Sequence, residues 1–181
     1  MNDEQRKAMY AKKNGSAIIL VGVSGSGKST LAKKQYPNAV ICSTDKFIED
    51  MAEKQGISYQ EMMKQIQEQK KFGEITGKFY NEINDSIKKG DDVIIDRTNL
   101  TKGGRTALLE KLKTMYSENK KTMNPVAICM NLPPEEVNKR LKKREQETGK
   151  TIPPEVIEGQ MSKLEIPTKD EGFAEIKVIE E

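Results

Sequence analysis

The sequence contains no histidine and no tryptophan, and it has only two cysteines. Without histidine, Ser-His and Cys-His nucleophilic catalysis are excluded, together with the common zinc sites that use imidazole ligands. Any chemistry must therefore depend on carboxylates, lysine, arginine and a hard metal ion. Cys42 and Cys129 both fall within apolar, strand-like runs, where a reduced thiol packs as a small apolar side chain. We interpret both as core residues rather than as reactive thiols.

Long apolar runs are missing as well. No run approaches the roughly 20 residues that a membrane-spanning helix needs, and the first residues lack the apolar core of a signal peptide. We therefore predict a cytoplasmic protein without a membrane partner. The formal net charge of +3 is too small by itself to indicate nucleic-acid binding, but it is compatible with anionic substrates. The length of 181 residues and 35% apolar content suit a single α/β domain with one core.

What the sequence does contain is a glycine-rich stretch, residues 22–29, that fits the phosphate-binding pattern G-x-x-x-x-G-K-[ST]. The apolar run at residues 17–21 predicts a buried strand before it, and residues 30–34 predict a helix after it. Glycines allow such a turn to point successive N–H groups at a phosphate, at the positive end of the following helix. The alternative is a Gly/Ser-rich turn without a ligand, which the correct flanking elements disfavour.

We call residues 22–30 the phosphate loop and predict that the whole loop contacts a nucleotide: Gly22, Val23, Ser24, Gly25, Ser26, Gly27, Lys28, Ser29 and Thr30. Lys28 would reach the terminal phosphates, and the Ser29 hydroxyl would bind Mg²⁺, which prefers oxygen ligands and retains several waters. The predicted cofactors are therefore Mg²⁺ and ATP. GTP stays open as an alternative, because the sequence shows no motif that reads the base.

Two carboxylates follow predicted strands. Asp45 comes after the second strand and Asp96 ends the third. Ligands bind at the carboxyl edge of an open α/β sheet, so both side chains are expected beside the phosphate loop. There Asp45 would accept a proton from an attacking hydroxyl, and Asp96 would help to hold Mg²⁺ directly or through water. Each also has a structural alternative: Asp45 as the N-cap of the next helix, and Asp96 as a cap for the turn at residues 98–99.

Two arginines lie four residues apart on the helix predicted from Pro134. Arg140 and Arg144 share one stripe of that helix, and their planar guanidinium groups match the oxygens of a triphosphate. The alternative for Arg140 is a solvated ion pair with Glu136, which would contribute little. The polar, glycine-containing segment that follows, residues 145–151, is predicted to be a loop that closes over the nucleotide as a lid.

The remaining pattern predicts further strands at residues 39–42, 92–96, 125–130 and 173–179. Residues 46–89 predict two or three helices, and part of this long crossover is expected to stand over the cleft and select the acceptor. Glycines 103 and 104 suggest that the next helix begins near Arg105. We interpret the large apolar side chains of the crossover as packing residues rather than a substrate platform: Met51, Met62, Met63, Phe72, Phe79 and Tyr80.

These elements, taken in order, resemble the kinase domain of polynucleotide 5′-hydroxyl kinases and related P-loop kinases of DNA and RNA repair. The resemblance covers nearly the whole chain from about Ala17. Five elements carry it: the phosphate loop, Ser43-Thr44-Asp45, Asp96-Arg97-Thr98-Asn99-Leu100, Lys139-Arg140-x3-Arg144, and Glu171-Gly172-Phe173.

The resemblance implies a role for each predicted site residue. Asp45 would be the general base for the 5′-hydroxyl. Lys28 and Ser29 would hold the phosphates and Mg²⁺. Arg140 and Arg144 would belong to the lid, with Arg144 as the catalytic arginine.

We therefore expect an α/β P-loop kinase fold with a five-stranded parallel sheet in the order 2-3-1-4-5, helices on both faces and a helical lid at about residues 140–155. Residues 16–181 would form one domain, preceded at residues 1–15 by a helix or tail. The expected reaction is transfer of the γ-phosphate of ATP to the 5′-hydroxyl of DNA or RNA, without an obligate protein partner. The alternatives are another hydroxyl acceptor (a modified base in DNA, a nucleotide sugar or a small metabolite) and a regulatory NTPase that transfers only to water.

One position departs from the family pattern. Kinases of this group usually carry an arginine three residues after the base, where it binds the acceptor's phosphate, and this sequence has Ile48 there. Lys46 and Lys54 are the candidates to replace that arginine. Since no segment resembles a phosphatase or ligase domain, we expect the kinase to act alone.

Overall fold

The computed structural model describes the backbone of residues 1–181 and all side chains except those of residues 7 and 10–13. Its strands are β1 Ser16–Gly22, β2 Val40–Cys42, β3 Val93–Ile95, β4 Asn124–Met130 and β5 Glu175–Ile179. All neighbouring strands are parallel, in the order β2-β3-β1-β4-β5, which confirms the predicted sheet. In the centre, Ile18 lies between Ile94 of β3 and Val126 of β4.

Helices connect and cover the strands. They are α1 Asp3–Asn14, α2 Lys28–Gln35, α3 Thr44–Gln55, α4 Tyr59–Glu68, α5 Phe72–Lys89, α6 Lys102–Glu118, α7 Pro134–Thr148 and α8 Pro154–Lys163, with a short 3₁₀ turn at Lys169–Glu171. The first residues are thus a helix, one of the two predicted possibilities. In the part of the chain whose side chains are described, no helix has the length and apolar character needed to span a membrane.

The side chains of β1 alternate between two apolar layers, as expected for a strand covered on both faces. Ala17, Ile19 and Val21 pack with residues of α5 and α6, whereas Ile18 and Leu20 pack with α2. Every residue of β1 is buried. The sheet is therefore a rigid support for whatever follows its carboxyl ends.

The long crossover after β2 forms α3, α4 and α5, which we call the helical unit. Its own apolar cluster contains Ile48, Ala52, Met62, Ile66 and Ile75, all buried. The packing interpretation is confirmed for Met62 and Phe79, which are buried, and for three side chains that pack against apolar clusters, Met51, Met63 and Tyr80. It is wrong for Phe72, which is 45% exposed.

Two predicted boundaries are wrong. Helix α6 begins at Lys102 rather than near Arg105, because Thr101 is its N-cap and accepts a hydrogen bond from the Gly104 N–H at 3.2 Å. Both glycines therefore fall in the first turn. Residues 145–148, predicted as a loop, continue α7, which ends at Gly149 with a left-handed φ of 70°. The non-helical part of the expected lid is thus shorter than predicted, residues 149–153.

The two cysteines are free and buried, as predicted. Burial raises the pKa of Cys42 to about 12, with the Glu82 carboxylate adding to the shift. Burial also raises the pKa of Cys129 to about 11. Both thiols therefore stay protonated at neutral pH, and neither has the thiolate character that reactivity requires.

Candidate active site

The phosphate loop leaves β1 and runs directly into α2. Its first residue is held by the segment that follows β3, because the Gly22 N–H donates to the Thr98 carbonyl at 3.0 Å. Asn99 strengthens this connection by donating from Nδ2 to the Leu20 carbonyl at 2.8 Å. Gly27 is the N-cap of α2 and has a left-handed φ of 89°. The N–H groups at residues 27–30 therefore lack intrahelical acceptors, which makes this helix end suitable for an anion.

Helix α7 lies directly against the phosphate loop. A Cβ atom at Gly25 would overlap the Leu141 side chain, and one at Gly27 would lie 2.9 Å from Arg140 Nη1. Both glycines also have positive φ angles. Only glycine fits these two positions without strain, so the glycines hold the loop and α7 together as well as shaping the cradle.

Lys28 is only 8% exposed, and its Nζ donates to the Val23 carbonyl at 3.2 Å. Burial lowers the pKa of Lys28, the carboxylates of Asp96 and Asp45 oppose that shift, and Arg144 adds to it. Three charged side chains from three different elements therefore act on one ammonium group. The sequence predicted that these residues would converge, and the structure brings them together.

Ser29 and Asp96 form the candidate metal position. The Ser29 hydroxyl donates to Asp96 Oδ2 at 2.7 Å, so this carboxylate bonds to the phosphate loop and not to the turn at residues 98–99. A hydroxyl and a carboxylate are hard oxygen ligands of the kind that Mg²⁺ prefers, and the pair fits that ion. Among the described side chains no group of three or more acidic, cysteine or histidine residues could hold a metal. Phosphate oxygens and waters would have to complete the coordination.

Asp45 lies in the first turn of α3 and is exposed. The N-cap of that helix is Ser43, whose side chain accepts from the Lys46 N–H, so the alternative that Asp45 is the N-cap is wrong. Instead, Asp45 Oδ1 accepts a hydrogen bond from the Tyr59 hydroxyl at 2.9 Å. Burial and the adjacent Asp45 carboxylate raise the pKa of Tyr59, so its hydroxyl remains a donor at physiological pH. One oxygen of Asp45 is thereby oriented, and no described side chain donates to the other.

Both arginines of α7 face the phosphate loop, but in different ways. Arg140 donates from Nε to Glu136 at 2.8 Å and from Nη1 to the Ser26 carbonyl at 2.7 Å. The ion pair considered from sequence therefore exists, and the same guanidinium also holds the loop backbone. Arg144 is half-buried and acts electrostatically on Lys28. Within the described part of the chain no carboxylate forms an ion pair with Arg144, so its guanidinium is available to a phosphate.

The other residues of the phosphate loop have different surroundings. Val23 is buried in an apolar cluster with residues of α7 and α8, and Thr30 is exposed on α2. The Ser24 N–H donates to Gln160 Oε1 at 2.8 Å. Ser26 Oγ is buried and has no hydrogen-bond partner among the described residues, which is a costly arrangement unless a ligand supplies one. This unsatisfied hydroxyl fits the prediction that the cradle holds a phosphate.

Sequence reasoning missed two contacts with the predicted site. Gln160 of α8 and Tyr59 of α4 both reach it from helices distant in sequence, and neither carries a motif. For Tyr59 the only signal was the capping box of Ser58 and Glu61, which starts α4 at that point. Contacts of this kind depend on how helices pack against each other.

A buried ion pair supports the segment after β3. Arg105 donates from Nε and Nη2 to the two carboxylate oxygens of Glu171, both at 2.8 Å, and both side chains are fully buried. Its Nη1 donates to the carbonyls of Asn99 and Leu100. The sequence marked Arg105 only as a helix start and Glu171 only as part of a family pattern. Together they fix the segment that follows Asp96.

Another ion pair connects the end of α7 to α3. Lys150, which follows α7, pairs with Glu49 on α3, one helical turn after Asp45. Helix α7 lies on the phosphate loop, whereas α3 carries Asp45. The segment predicted as a lid is therefore attached to the helical unit by side chains that are both partly exposed.

A glycine-rich cradle at a helix N-terminus, with a buried lysine and a Ser–Asp pair at the carboxyl ends of a parallel sheet, defines a P-loop nucleotide-binding protein. The family model described as an AAA domain, AAA_33, matches residues 18–167. The chain belongs to this P-loop kinase-like family.

Solved structures show the same fold. A protein of Chloroflexus aurantiacus J-10-fl, named a "putative kinase", superposes with a TM-score of 0.66 at 18% identity, over 93% of this chain and 86% of that one. A chain of the PezAT chromosomal toxin–antitoxin system of Streptococcus pneumoniae gives a TM-score of 0.51 at 16% identity, over 99% of this chain and 78% of that one. Among curated proteins, none matches the sequence significantly. At these identities the likeness concerns the fold.

Proposed function

We propose that this chain is an ATP- and Mg²⁺-dependent kinase that transfers the γ-phosphate to the 5′-hydroxyl of DNA or RNA. The observation that carries the proposal is Asp45, an exposed carboxylate that Tyr59 orients and that acts on the same ammonium group, Lys28, as the phosphate loop's own carboxylate partner. A regulatory NTPase that transfers phosphate to water has no need of an alcohol-directed base. Asp45 therefore favours a kinase.

The reaction assigns each group a task. The unoccupied oxygen of Asp45 accepts the proton of the 5′-hydroxyl as the hydroxyl oxygen attacks the γ-phosphorus. The bond between that phosphorus and the β–γ bridging oxygen breaks, and ADP leaves with the electron pair. Lys28 and Arg144 stabilise the charge on the phosphate oxygens, while Arg140 keeps the loop backbone in position. Mg²⁺ bound at Ser29 and Asp96 would neutralise further phosphate charge.

The polynucleotide acceptor is supported by the resemblance of five ordered elements to polynucleotide kinases. One observation favours a second candidate, a small hydroxyl acceptor without a phosphate. Ile48, which stands where those kinases have an arginine, is 3% exposed and belongs to the apolar cluster of the helical unit. This position of α3 therefore supplies no positive charge to an acceptor.

Incubation with γ-labelled ATP and a panel of acceptors tests the proposal. The panel contains DNA and RNA oligonucleotides with a 5′-hydroxyl, the same oligonucleotides with a 5′-phosphate, nucleosides, and sugar or polyol metabolites. We expect label on the 5′-hydroxyl oligonucleotides and none on their 5′-phosphorylated controls. Label only on small acceptors would support the second candidate, and release of inorganic phosphate alone would indicate an NTPase.

A further inference from the structure

A cavity of about 380 Å³ opens between α5, α6 and the segment that follows Asp96. This is within the size range of small-molecule sites. Its polar and charged lining combines two cations, an aromatic ring, hydroxyl groups and one amide: Arg97, Lys111, Tyr80, Thr98, Thr101 and Asn99. The lining contains no carboxylate. The cavity is therefore suited to a ligand that carries negative charge.

Neither cation of the cavity is neutralised by an acidic partner among the described residues. Arg97 lies over the ring of Phe79, 5.4 Å from its centroid, and Lys111 Nζ lies 3.5 Å from the centroid of Tyr80. Contacts with aromatic rings position a cation but leave its charge uncompensated. Arg97 and Lys111 are both exposed, so an anion reaches them without displacing protein groups.

The cavity shares a wall with the candidate active site. Asp96, which accepts the hydrogen bond of Ser29, immediately precedes Arg97. The Thr98 carbonyl accepts from Gly22, so the same segment faces the cavity on one side and the phosphate loop on the other. Arg105, which pairs with Glu171, donates to the Asn99 carbonyl and so fixes the position of this segment. A ligand in the cavity would thus lie against the segment that carries Asp96.

We propose that this cavity binds a phosphate of the acceptor, namely the phosphodiester that follows the first nucleoside of the 5′-hydroxyl strand, with Arg97 and Lys111 as its cationic contacts. This inference rests on the proposed polynucleotide kinase function and names the groups that take over from the family arginine absent at Ile48. Of the replacements expected from sequence, Lys54 lies nine positions along α3 from Asp45, about 13.5 Å of helix rise. Lys46 is exposed beside Asp45 and is the competing contact.

Steady-state kinetics with two acceptors test the assignment. One is a 5′-hydroxyl dinucleotide with its single phosphodiester, and the other is the same dinucleotide with a neutral methylphosphonate linkage. Loss of a charge-assisted contact should raise KM by roughly tenfold to a hundredfold for the neutral acceptor in the unmodified protein. In Arg97→Gln and Lys111→Gln this ratio should fall toward one, while KM for ATP stays unchanged. Lys113→Gln, which changes another exposed lysine on α6, is the matched control and should keep the full ratio.

Unchanged ratios in both variants would overturn the proposal, and so would a ratio that only Lys46→Gln abolishes. Arg97→Lys retains the charge and should retain most of the ratio, and thermal unfolding of each variant separates a binding defect from a folding defect.

Titration calorimetry of the two dinucleotides without ATP gives a readout that does not require transfer. If no polynucleotide is phosphorylated, the proposed function fails. The cavity assignment still stands if the unmodified protein prefers the phosphodiester and Arg97→Gln does not, and it falls if both bind the two dinucleotides equally.

Discussion

The phosphate loop and the helical unit form the two sides of one cleft, yet they are built differently. The residues of the loop are buried or half-buried except Thr30, and the loop presents backbone N–H groups and follows a strand that is buried throughout. The helical unit has a small apolar cluster of its own and presents exposed side chains, among them Asp45. In the proposed reaction, a phosphate would thus be held mainly by main-chain N–H groups, whereas the acceptor would be recognised by side chains. The first can be encoded in a short motif, and the second cannot.

The largest effect should come from Lys28→Ala, which removes the charge that both sides of the cleft share. Transfer to any acceptor, water included, should fall by roughly 10³-fold or more, because a buried cation next to the phosphates stabilises every transition state. Initial rates with γ-labelled ATP measure this loss. Lys33→Ala, an exposed lysine on the same helix, is the control. Comparable rates for the two variants would show that the loop is not the phosphate site.

Asp45→Asn should distinguish transfer to the acceptor from ATP binding, because only the transfer step depends on a base. Transfer to a hydroxyl acceptor should fall by about 10²- to 10³-fold, within the usual contribution of a general base. ATP binding, measured by fluorescence titration with a labelled analogue, should be nearly unchanged. Asp50→Asn alters another exposed aspartate of α3 and should remain active. Full transfer by Asp45→Asn would remove the base assignment.

Glu171→Gln tests the buried ion pair that supports the segment after Asp96. Breaking a buried ion pair leaves the Arg105 guanidinium unpaired and should lower the free energy of unfolding by about 3–5 kcal/mol. Asp170→Asn, which breaks the neighbouring but exposed pair with Lys102, should cost far less. Chemical denaturation measures both. Equal losses in the free energy of unfolding would mean that burial does not determine how much each ion pair contributes to stability.

The same pair predicts a pH dependence. Burial by itself would raise the pKa of Glu171, but hydrogen bonds from Arg105 and Thr168 outweigh it and hold this pKa below its ordinary value. A carboxyl with a lower pKa in the folded state stabilises the fold above the pKa of the unfolded state, near 4.3. The contribution is lost as the pH falls through the lower folded value. The stability gap between the native protein and Glu171→Gln should therefore be constant near neutrality and shrink below about pH 4.

The smallest effect is expected from Tyr59→Phe, which leaves Asp45 in place but removes the donor that orients it. The rate of transfer should fall severalfold to about tenfold, which corresponds to about 0.5–1.5 kcal/mol for the loss of one ordinary hydrogen bond. KM for ATP should not change, since Tyr59 belongs to the acceptor side. Tyr36→Phe changes a tyrosine at the carboxyl end of α2, opposite the end that carries the phosphate loop, and provides the comparison. An unaltered kcat would show that Asp45 needs no orientation.

The difference between the two sides also explains what the sequence could predict. The convergence of Lys28, Asp96 and Asp45 followed from apolar runs that end in polar residues, because parallel strands align their carboxyl ends. The order of the strands was expected from the resemblance to P-loop kinases. Helix limits near glycines 103 and 104 were predicted less well, since a glycine in the first turn of a helix is indistinguishable by composition from a loop. The Tyr59 and Arg105 contacts join elements distant in sequence, and only packing reveals them.

The ion pair between Lys150 and Glu49 connects the segment after α7 to α3, one helical turn from Asp45. In the proposed reaction, an acceptor would have to reach Asp45 past this connection. An ion pair between partly exposed groups contributes at most about 1 kcal/mol and is screened by salt. The connection would therefore break and re-form readily, and added salt should weaken it.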